Sequence, residues 1–192
     1  MRGWQEQAFE QQGARLTVLR NSRADERWEF SSEDEATARR RFIAEAFTWV
    51  GTPFRDCADV KGPNGAVDCA MLLVRCAAAA GLIDRAFDPR PYSPRWHVHR
   101  GEEKFIDFLM KLGAREVREP RLGDVLVWQF GRCYGHGAIL VNREEVVHSY
   151  GAAKMCIVSR LDEPTLSKVA IRGHDYPRPV RYFDVWAARN KI

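Results

Sequence analysis

The chain has 192 residues, of which 45% are hydrophobic, so it is long enough to bury the core of one domain. Its formal net charge of +4 comes from 30 basic and 26 acidic residues, and no basic stretch is interleaved with aromatic residues as in nucleic-acid-binding grooves. No stretch reaches the length of a transmembrane helix, and the N-terminus lacks a basic region followed by an apolar run. We therefore expect no nucleic-acid partner, no transmembrane segment, and synthesis in the cytoplasm without a signal peptide.

Residues 1–34 are predicted to form an N-terminal extension, and residues 35–192 a single domain. Within the extension, residues 15–20 and 27–30 alternate polar and apolar side chains, and we expect them to pair as a small β-hairpin.

A helix is predicted over residues 35–50, because its apolar residues recur at helical spacing. The arginine run that it contains is interpreted as a solvated face and not as a nucleic-acid patch. The run consists of Arg39, Arg40 and Arg41, and the side chains expected to face inward are Phe42, Ala44, Ala46, Phe47 and Val50.

A second helix is predicted to begin at Cys69 and to end at Gly81, a good helix stop. Asp68 is a good N-cap, and it places Cys69 in the first turn, where unpaired N–H groups and the helix dipole stabilise negative charge. We therefore expect Cys69 to be a reactive thiol with a lowered pKa. The alternative is that Cys69 is only the first buried residue of a core helix, as we infer for Cys76.

The second half of the chain is predicted to begin with an irregular, proline-rich loop over residues 87–96 and a helix over residues 102–112. Short runs of β-branched and aromatic residues then indicate strands around His136 and His148, and residues 181–186 are predicted to be a last strand.

The loop between the two histidine strands decides whether the histidines can interact. A three-residue loop over residues 142–144 places Ala138 opposite His148, which brings His136 and His148 to the same face of the sheet as diagonal neighbours. A two-residue loop places them on opposite faces. In the first register they have the geometry of a base and its orienting partner, which a cysteine nucleophile requires.

The chain contains five cysteines, an odd number that favours free thiols over a disulfide framework when no secretory signal is found. Cys133 and His136 have a spacing that suits zinc, with Cys57 and Cys69 as further ligands, but no paired Cys-x-x-Cys motif occurs. We therefore expect no metal and no cofactor. Cys57, Cys133 and Cys156 are interpreted as structural or incidental.

Several short motifs occur in a fixed order along the chain. They are Gly51-Thr52-Pro53-Phe54, Asp68-Cys69 ahead of a helix, Leu122-Gly123-Asp124-Val125, His136-Gly137 and Val147-His148. In this order they resemble the NlpC family of cell-wall cysteine peptidases. The segment Pro91-Tyr92-Ser93-Pro94-Arg95-Trp96 resembles in particular the NlpC-like peptidases encoded in phage tail modules and gene-transfer-agent clusters.

The resemblance implies a papain-like α+β fold, in which the helix of the nucleophile packs on a small antiparallel sheet that carries the histidines. It implies that Cys69 is the nucleophile, His136 the general base and His148 the residue that orients His136. It also implies hydrolysis of the bond between γ-D-glutamyl and a diamino acid in peptidoglycan stem peptides. For the phage subgroup it implies a virion- or tail-associated protein, with other tail or particle proteins as partners.

The sequence departs from the family pattern around the nucleophile. Phe54 stands where the family often has tyrosine, and Ala70 and Met71 stand where it often has serine and glycine. We expect Asp68, Phe54 and Ala70 to line the substrate site, without the hydroxyl groups of those relatives. Two alternatives to an active peptidase therefore remain: a structural tail-tip or plug protein with a weakly active peptidase fold, and an amidase or acyltransferase with the same Cys-His-His set.

Overall fold

The computed structural model describes residues 5–11, 14–20, 33–93 and 103–187. Its helices are α1 (Glu33–Phe47), α2 (Cys69–Ala79), α3 (Lys104–Lys111) and α4 (Pro164–Ser167). Its strands are β1 (Gln5–Gln11), β2 (Ala14–Arg20), β3 (Asp59–Val60), β4 (Ala66–Val67), β5 (Arg115–Val117), β6 (Val125–Phe130), β7 (Cys133–Leu140), β8 (Glu145–Tyr150), β9 (Met155–Arg160), β10 (Lys168–Ile171), β11 (His174–Pro177) and β12 (Val180–Asp184). Within these ranges, no helix has both the length and the apolar character needed to cross a membrane.

A six-stranded antiparallel sheet forms the centre of the fold, with the strand order β5-β12-β6-β7-β8-β9. Helix α2 packs on β7 and β8, because one of its faces is apolar and closes the core against them. The side chains of α2 buried in this way include Met71, Leu72, Leu73 and Cys76. The predicted α+β class is confirmed, and the helix that begins at Cys69 lies on the sheet that carries both histidines, as the papain-like fold requires.

The predicted N-terminal hairpin exists with a different pairing. Residues 15–20 fall in a strand, β2, as expected, but β2 pairs with β1, so that Gln5 lies opposite Arg20 and Gln11 opposite Ala14. Residues 27–30, which were predicted to pair with residues 15–20, lie outside the described part of the chain. Only Gln12 and Gly13 separate β1 from β2, and a two-residue connection is the commonest in β-hairpins.

The interpretation of Arg39 as part of a solvated face was wrong. Its side chain is 1% exposed and lies among three carboxylates. Its Nε donates to Glu35 Oε1 at 2.9 Å, its Nη1 to Asp124 Oδ1 at 2.6 Å and its Nη2 to Asp184 Oδ1 at 3.0 Å. The guanidinium also lies over the ring of Trp186. Arg39 therefore connects α1 to the start of β6 and the end of β12, where burial of its charge is compensated by pairing.

Helix α1 ends at Phe47, three residues before the predicted end, and two of the side chains expected inside are exposed, Ala44 and Val50. The buried face is that of Phe42 and Ala46, four residues apart, so Ala44 lies on the other side of the helix. Val50 lies beyond the helix, where the helical period no longer applies. The other predicted helices and the last strand are found with boundaries shifted by up to two residues.

The Gly-Thr-Pro-Phe motif holds the strand that leads to the nucleophile helix. The N–H of Gly51 donates to the carbonyl of Cys156, and the N–H of Cys156 donates to the carbonyl of Thr52. On the other side, the N–H of Val67 donates to the carbonyl of Pro53 at 2.9 Å. The motif thus joins β9, at the edge of the sheet, to the residue that precedes the N-cap of α2.

Candidate active site

Cys69 is the first residue of α2, and its position is fixed by the residues just before it. Asp68 is the N-cap and has extended backbone angles, and its Oδ1 accepts a hydrogen bond from the N–H of Met71 at 2.8 Å. The hydroxyl of Ser149 on β8 donates to the carbonyl of Val67 at 2.6 Å, deep in the core. The start of the helix is therefore tied both to its own cap and to the histidine strands.

The second oxygen of Asp68 accepts two further hydrogen bonds. Its Oδ2 accepts from the N–H of Cys57 at 2.7 Å and from the hydroxyl of Tyr92 at 2.6 Å. Burial raises the pKa of Asp68, while these bonds and that from Met71 act in the opposite direction. Three of the roughly four lone-pair positions of a carboxylate are thus engaged within the protein, and Asp68 is only 5% exposed.

The sulfur of Cys69 lies against the backbone of β7 on both sides of His136, at an irregularity in that strand. Trp128 on β6 is opposite His136, but the ladder between the two strands shifts after this pair, so that Gly135 has no partner. The Sγ of Cys69 lies 3.9 Å from the carbonyl oxygen of Gly135. Bulges of this kind redirect side chains next to active sites, and this one lies directly beside the sulfur of Cys69.

Gly137 permits the close approach of α2 and α3 to β7. A side chain at this position would collide with the ring of Phe105 and with Leu73, both in the core. The absence of a Cβ at Gly137 therefore allows α2 to contact β7, the strand of His136.

The two histidines interact directly, in the register predicted from a three-residue loop. Ile139 lies opposite Val147, and continuing this register places Ala138 opposite His148. Nε2 of His136 and Nδ1 of His148 are 2.7 Å apart, so one of these nitrogens donates a hydrogen bond to the other. The remaining ring nitrogen of His136 is Nδ1.

His148 is fully buried and is contacted on both ring nitrogens. Its Nε2 lies 2.9 Å from the hydroxyl oxygen of Ser159 on β9. Tyr150 stacks on the His148 ring with a centroid separation of 5.2 Å, and the edge of Phe130 meets the ring of His136 at the same distance. Burial lowers the pKa of His148 to about 4, so the ring is neutral at physiological pH.

The expectation that Cys69 has a lowered pKa was wrong for the resting thiol. Burial, and then the charge of Asp68, raise the pKa of Cys69 to about 12. The N–H groups of Gly137, Cys69 and Ala70 favour the thiolate but do not outweigh the other two effects. A neutral resting thiol must therefore lose its proton to a base when it reacts.

A cavity of about 170 Å³ opens beside the sulfur, and its wall is mostly apolar. The wall of the cavity includes Cys69 and all three residues predicted to line the substrate site, which are Asp68, Phe54 and Ala70. Other side chains in the wall are Leu73, Val74, Phe87, Tyr92 and Phe108. Phe54 also packs against the position of Gly151, in the turn between β8 and β9.

Two residues of the site were missed from the sequence, Tyr92 and Ser159. Tyr92 lies in the Pro-Tyr-Ser-Pro segment, which carried a resemblance but no chemical signal that pointed to Asp68. Ser159 lies in an ordinary edge-strand sequence, and only the register between β8 and β9 brings it to His148. Among the described residues, no group of three or more His, Cys, Asp or Glu side chains is arranged to hold a metal ion.

The arrangement brings together a thiol at a helix N-terminus, a histidine on the strand that the thiol contacts, and a buried second histidine hydrogen-bonded to the first. These are the groups that a nucleophilic cysteine site requires. No protein-family model and no curated protein matches the sequence.

Solved structures similar to this one include the peptidoglycan hydrolase RipB from Mycobacterium tuberculosis, with 18% sequence identity and a TM-score of 0.47. That match covers 78% of this chain and 65% of the RipB chain, so this chain spans about two thirds of the length of RipB. The P60 domains of two antigens from M. avium paratuberculosis are also similar, at 15% and 17% identity and a TM-score of 0.44 each. These matches cover 78% and 74% of this chain and 93% of each domain.

Proposed function

We propose that the protein is a cysteine hydrolase that cleaves an amide bond in peptidoglycan stem peptides. The observation that carries the proposal is the position of Cys69 at the start of α2, with its Sγ 3.9 Å from the carbonyl oxygen of Gly135. The next residue, His136, is hydrogen-bonded to His148. The order of the sequence motifs supports the substrate class, and the net positive charge favours approach to anionic cell-wall polymers.

The proposed reaction begins when the thiol proton of Cys69 moves to Nδ1 of His136 and the sulfur attacks the carbonyl carbon of the substrate. The resulting oxyanion is stabilised by backbone N–H groups at the start of α2. His136 then returns the proton to the leaving nitrogen as the C–N bond breaks, which leaves a thioester. Water hydrolyses the thioester with His136 again as the base, and the thiol is restored.

Two finer statements belong to the same proposal. The scissile bond is the one between γ-D-glutamyl and a diamino acid, and the protein acts as part of a phage tail or a related particle. Both are supported by the resemblance of the ordered motifs and of the Pro-Tyr-Ser-Pro segment to NlpC-like peptidases.

The proposal is tested by digestion of purified sacculi, with the released fragments analysed by mass spectrometry. Wild-type protein should release stem-peptide fragments, and Cys69→Ala should release none. Cys57→Ser, which changes another half-buried thiol, should retain activity and serves as the matched control. The masses of the fragments identify the bond that is cleaved. Release of the same fragments by Cys69→Ala would contradict the proposal.

The apolar cavity favours one alternative, an amidase or acyltransferase acting on an apolar acyl group. Phe54, Val74 and Phe108 line the cavity with apolar side chains that can contact such a group but cannot hydrogen-bond to it. Thioester formation on Cys69 from an activated fatty acyl donor, without activity on sacculi, would favour this alternative over the peptidase.

A further inference from the structure

The hydrogen bonds that begin at His136 do not stop at His148. They cross three neighbouring strands, from His136 on β7 to His148 on β8 and on to Ser159 on β9, with separations of 2.7 and 2.9 Å. His148 has no exposed surface, whereas Ser159 is half-buried at the edge of the sheet. The hydroxyl of Ser159 is thus the last member of the series, where it lies close to solvent.

The protonation of these groups is coupled, because a neutral imidazole carries one proton on two nitrogens. For His136 to accept the thiol proton on Nδ1, its own proton must be on Nε2, and Nδ1 of His148 must accept it. His148 then carries its proton on Nε2, and this N–H must donate a hydrogen bond to the hydroxyl oxygen of Ser159. The opposite arrangement would place a proton on Nδ1 of His136 and block the base.

The requirement becomes stricter during the reaction. Once His136 has taken the thiol proton, both of its nitrogens carry protons, and Nδ1 of His148 can only accept. Nε2–H of His148 must then donate, and Ser159 is the group that the structure provides to accept it. A missing acceptor would leave a buried N–H unpaired when the imidazolium forms.

We propose that Ser159 is a positioning residue that holds His148, and through it His136, in the protonation state needed for catalysis. The inference rests on the proposed function, since it assigns His136 the role of base. Ser159 acts through His148, by accepting a hydrogen bond from Nε2–H.

The kinetic test compares Ser159→Ala with Ser159→Thr, which keeps the hydroxyl and suits a strand. We expect Ser159→Ala to lower kcat roughly fivefold to tenfold, the effect of one net hydrogen bond, with KM unchanged, and Ser159→Thr to restore it. Ser167→Ala removes a hydroxyl that donates to the carbonyl of Asp162, away from the histidines, and should behave as wild type. Equal kcat values for Ser159→Ala and wild type would overturn the inference, as would a loss that Ser159→Thr does not restore.

A second readout does not depend on any substrate. The ¹⁵N chemical shifts of the ring nitrogens show which nitrogen of each histidine carries the proton. We expect Nε2 of His148 to be protonated in the wild type and in Ser159→Thr, with a population shift toward protonated Nδ1 in Ser159→Ala. If the proton of His148 stays on Nε2 in Ser159→Ala, the inference is overturned even if the protein hydrolyses sacculi. If the proton of His148 moves toward Nδ1 in Ser159→Ala but the protein hydrolyses nothing, the coupling is upheld and only the proposed function is refuted.

Discussion

His136 and His148 are adjacent in space, and the proposed function gives them different roles. Nε2 of His136 contacts Nδ1 of His148, and Nε2 of His148 contacts the hydroxyl of Ser159. We expect His136→Ala to reduce kcat/KM by about 10² to 10⁴, the range for loss of a general base. His148→Asn and His148→Gln should lose less, because an amide can still accept from Nε2 of His136. Equal and complete loss in all three variants, measured on the same substrate, would show that His148 does more than orient.

The buried, neutral His148 also makes stability depend on pH. Its pKa is about 4 in the folded protein against about 6.5 in the unfolded chain, so below pH 6.5 the unfolded state binds a proton that the folded state does not. The stabilisation is therefore complete above pH 6.5 and is lost as the pH falls toward 4. Between pH 8 and pH 5 we expect a loss of about 2 kcal/mol in the free energy of unfolding.

This loss can be measured by urea denaturation at the two pH values, with His148→Asn as the reference, because asparagine does not titrate. The wild type should lose about 2 kcal/mol more than the variant over this interval. An identical decrease in both proteins would mean that His148 is protonated in the folded state.

Arg39 pairs helix α1 with two carboxylates at the sheet, Asp124 and Asp184, and its removal should be costly. In Arg39→Met the carboxylates of Glu35, Asp124 and Asp184 lose their central partner, and we expect a loss of about 3 to 5 kcal/mol in unfolding free energy. Arg41→Met, a little over half a turn away and exposed, should change stability by less than about 0.5 kcal/mol. Urea denaturation followed by circular dichroism measures both. A loss below about 1 kcal/mol for Arg39→Met would show that Arg121, which also contacts Glu35 and Asp184, is sufficient.

The elements closest to the chemistry could be predicted because their signals are local. Asp68 and Gly81 marked the two ends of α2. Of the two loops considered after β7, the three-residue loop is the one that the structure has, and its register brings His136 and His148 together. Arg39 could not be placed, because its partners Asp124 and Asp184 are 85 and 145 residues away in sequence. A charge in a run of arginines is typical of a solvated face until such distant partners are known.

The reactivity of the thiol was mispredicted for a related reason. The helix N-terminus that favours a thiolate is visible in the sequence, but the burial of Cys69 depends on how β7 and α3 pack around α2. Ser159 and Tyr92 carry no local signal either, since each reaches the site only through long-range packing.

At the scale of the whole molecule, the hydrogen bonds that Asp68 accepts from three different segments bear on substrate recognition under the proposed function. Asp68 would be the natural partner for a free amino terminus of a stem peptide, but its oxygens already accept from Met71, Cys57 and Tyr92. An ammonium group would gain little there. Under the proposed function, we therefore expect the protein to accept stem peptides that are still attached to glycan. The ratio of kcat/KM for a free tetrapeptide to that for the same peptide linked to muramic acid should stay below about ten. A preference of more than about tenfold for the free amine would show that Asp68 exchanges an internal partner for the substrate.

The central claim is that Cys69 is a nucleophile activated by His136. With a pKa of about 12, an unassisted thiol would be a thiolate in only about one molecule in 10⁵ at pH 7, so rapid reaction requires the histidine. Brief treatment with iodoacetamide at pH 7, followed by mass mapping, measures this directly. We predict that Cys69 is labelled first in the wild type and that His136→Ala slows its labelling roughly a hundredfold, while the rate at Cys57 stays the same. Preferential labelling of Cys57 in the wild type, or an unchanged rate at Cys69 in His136→Ala, would contradict the claim.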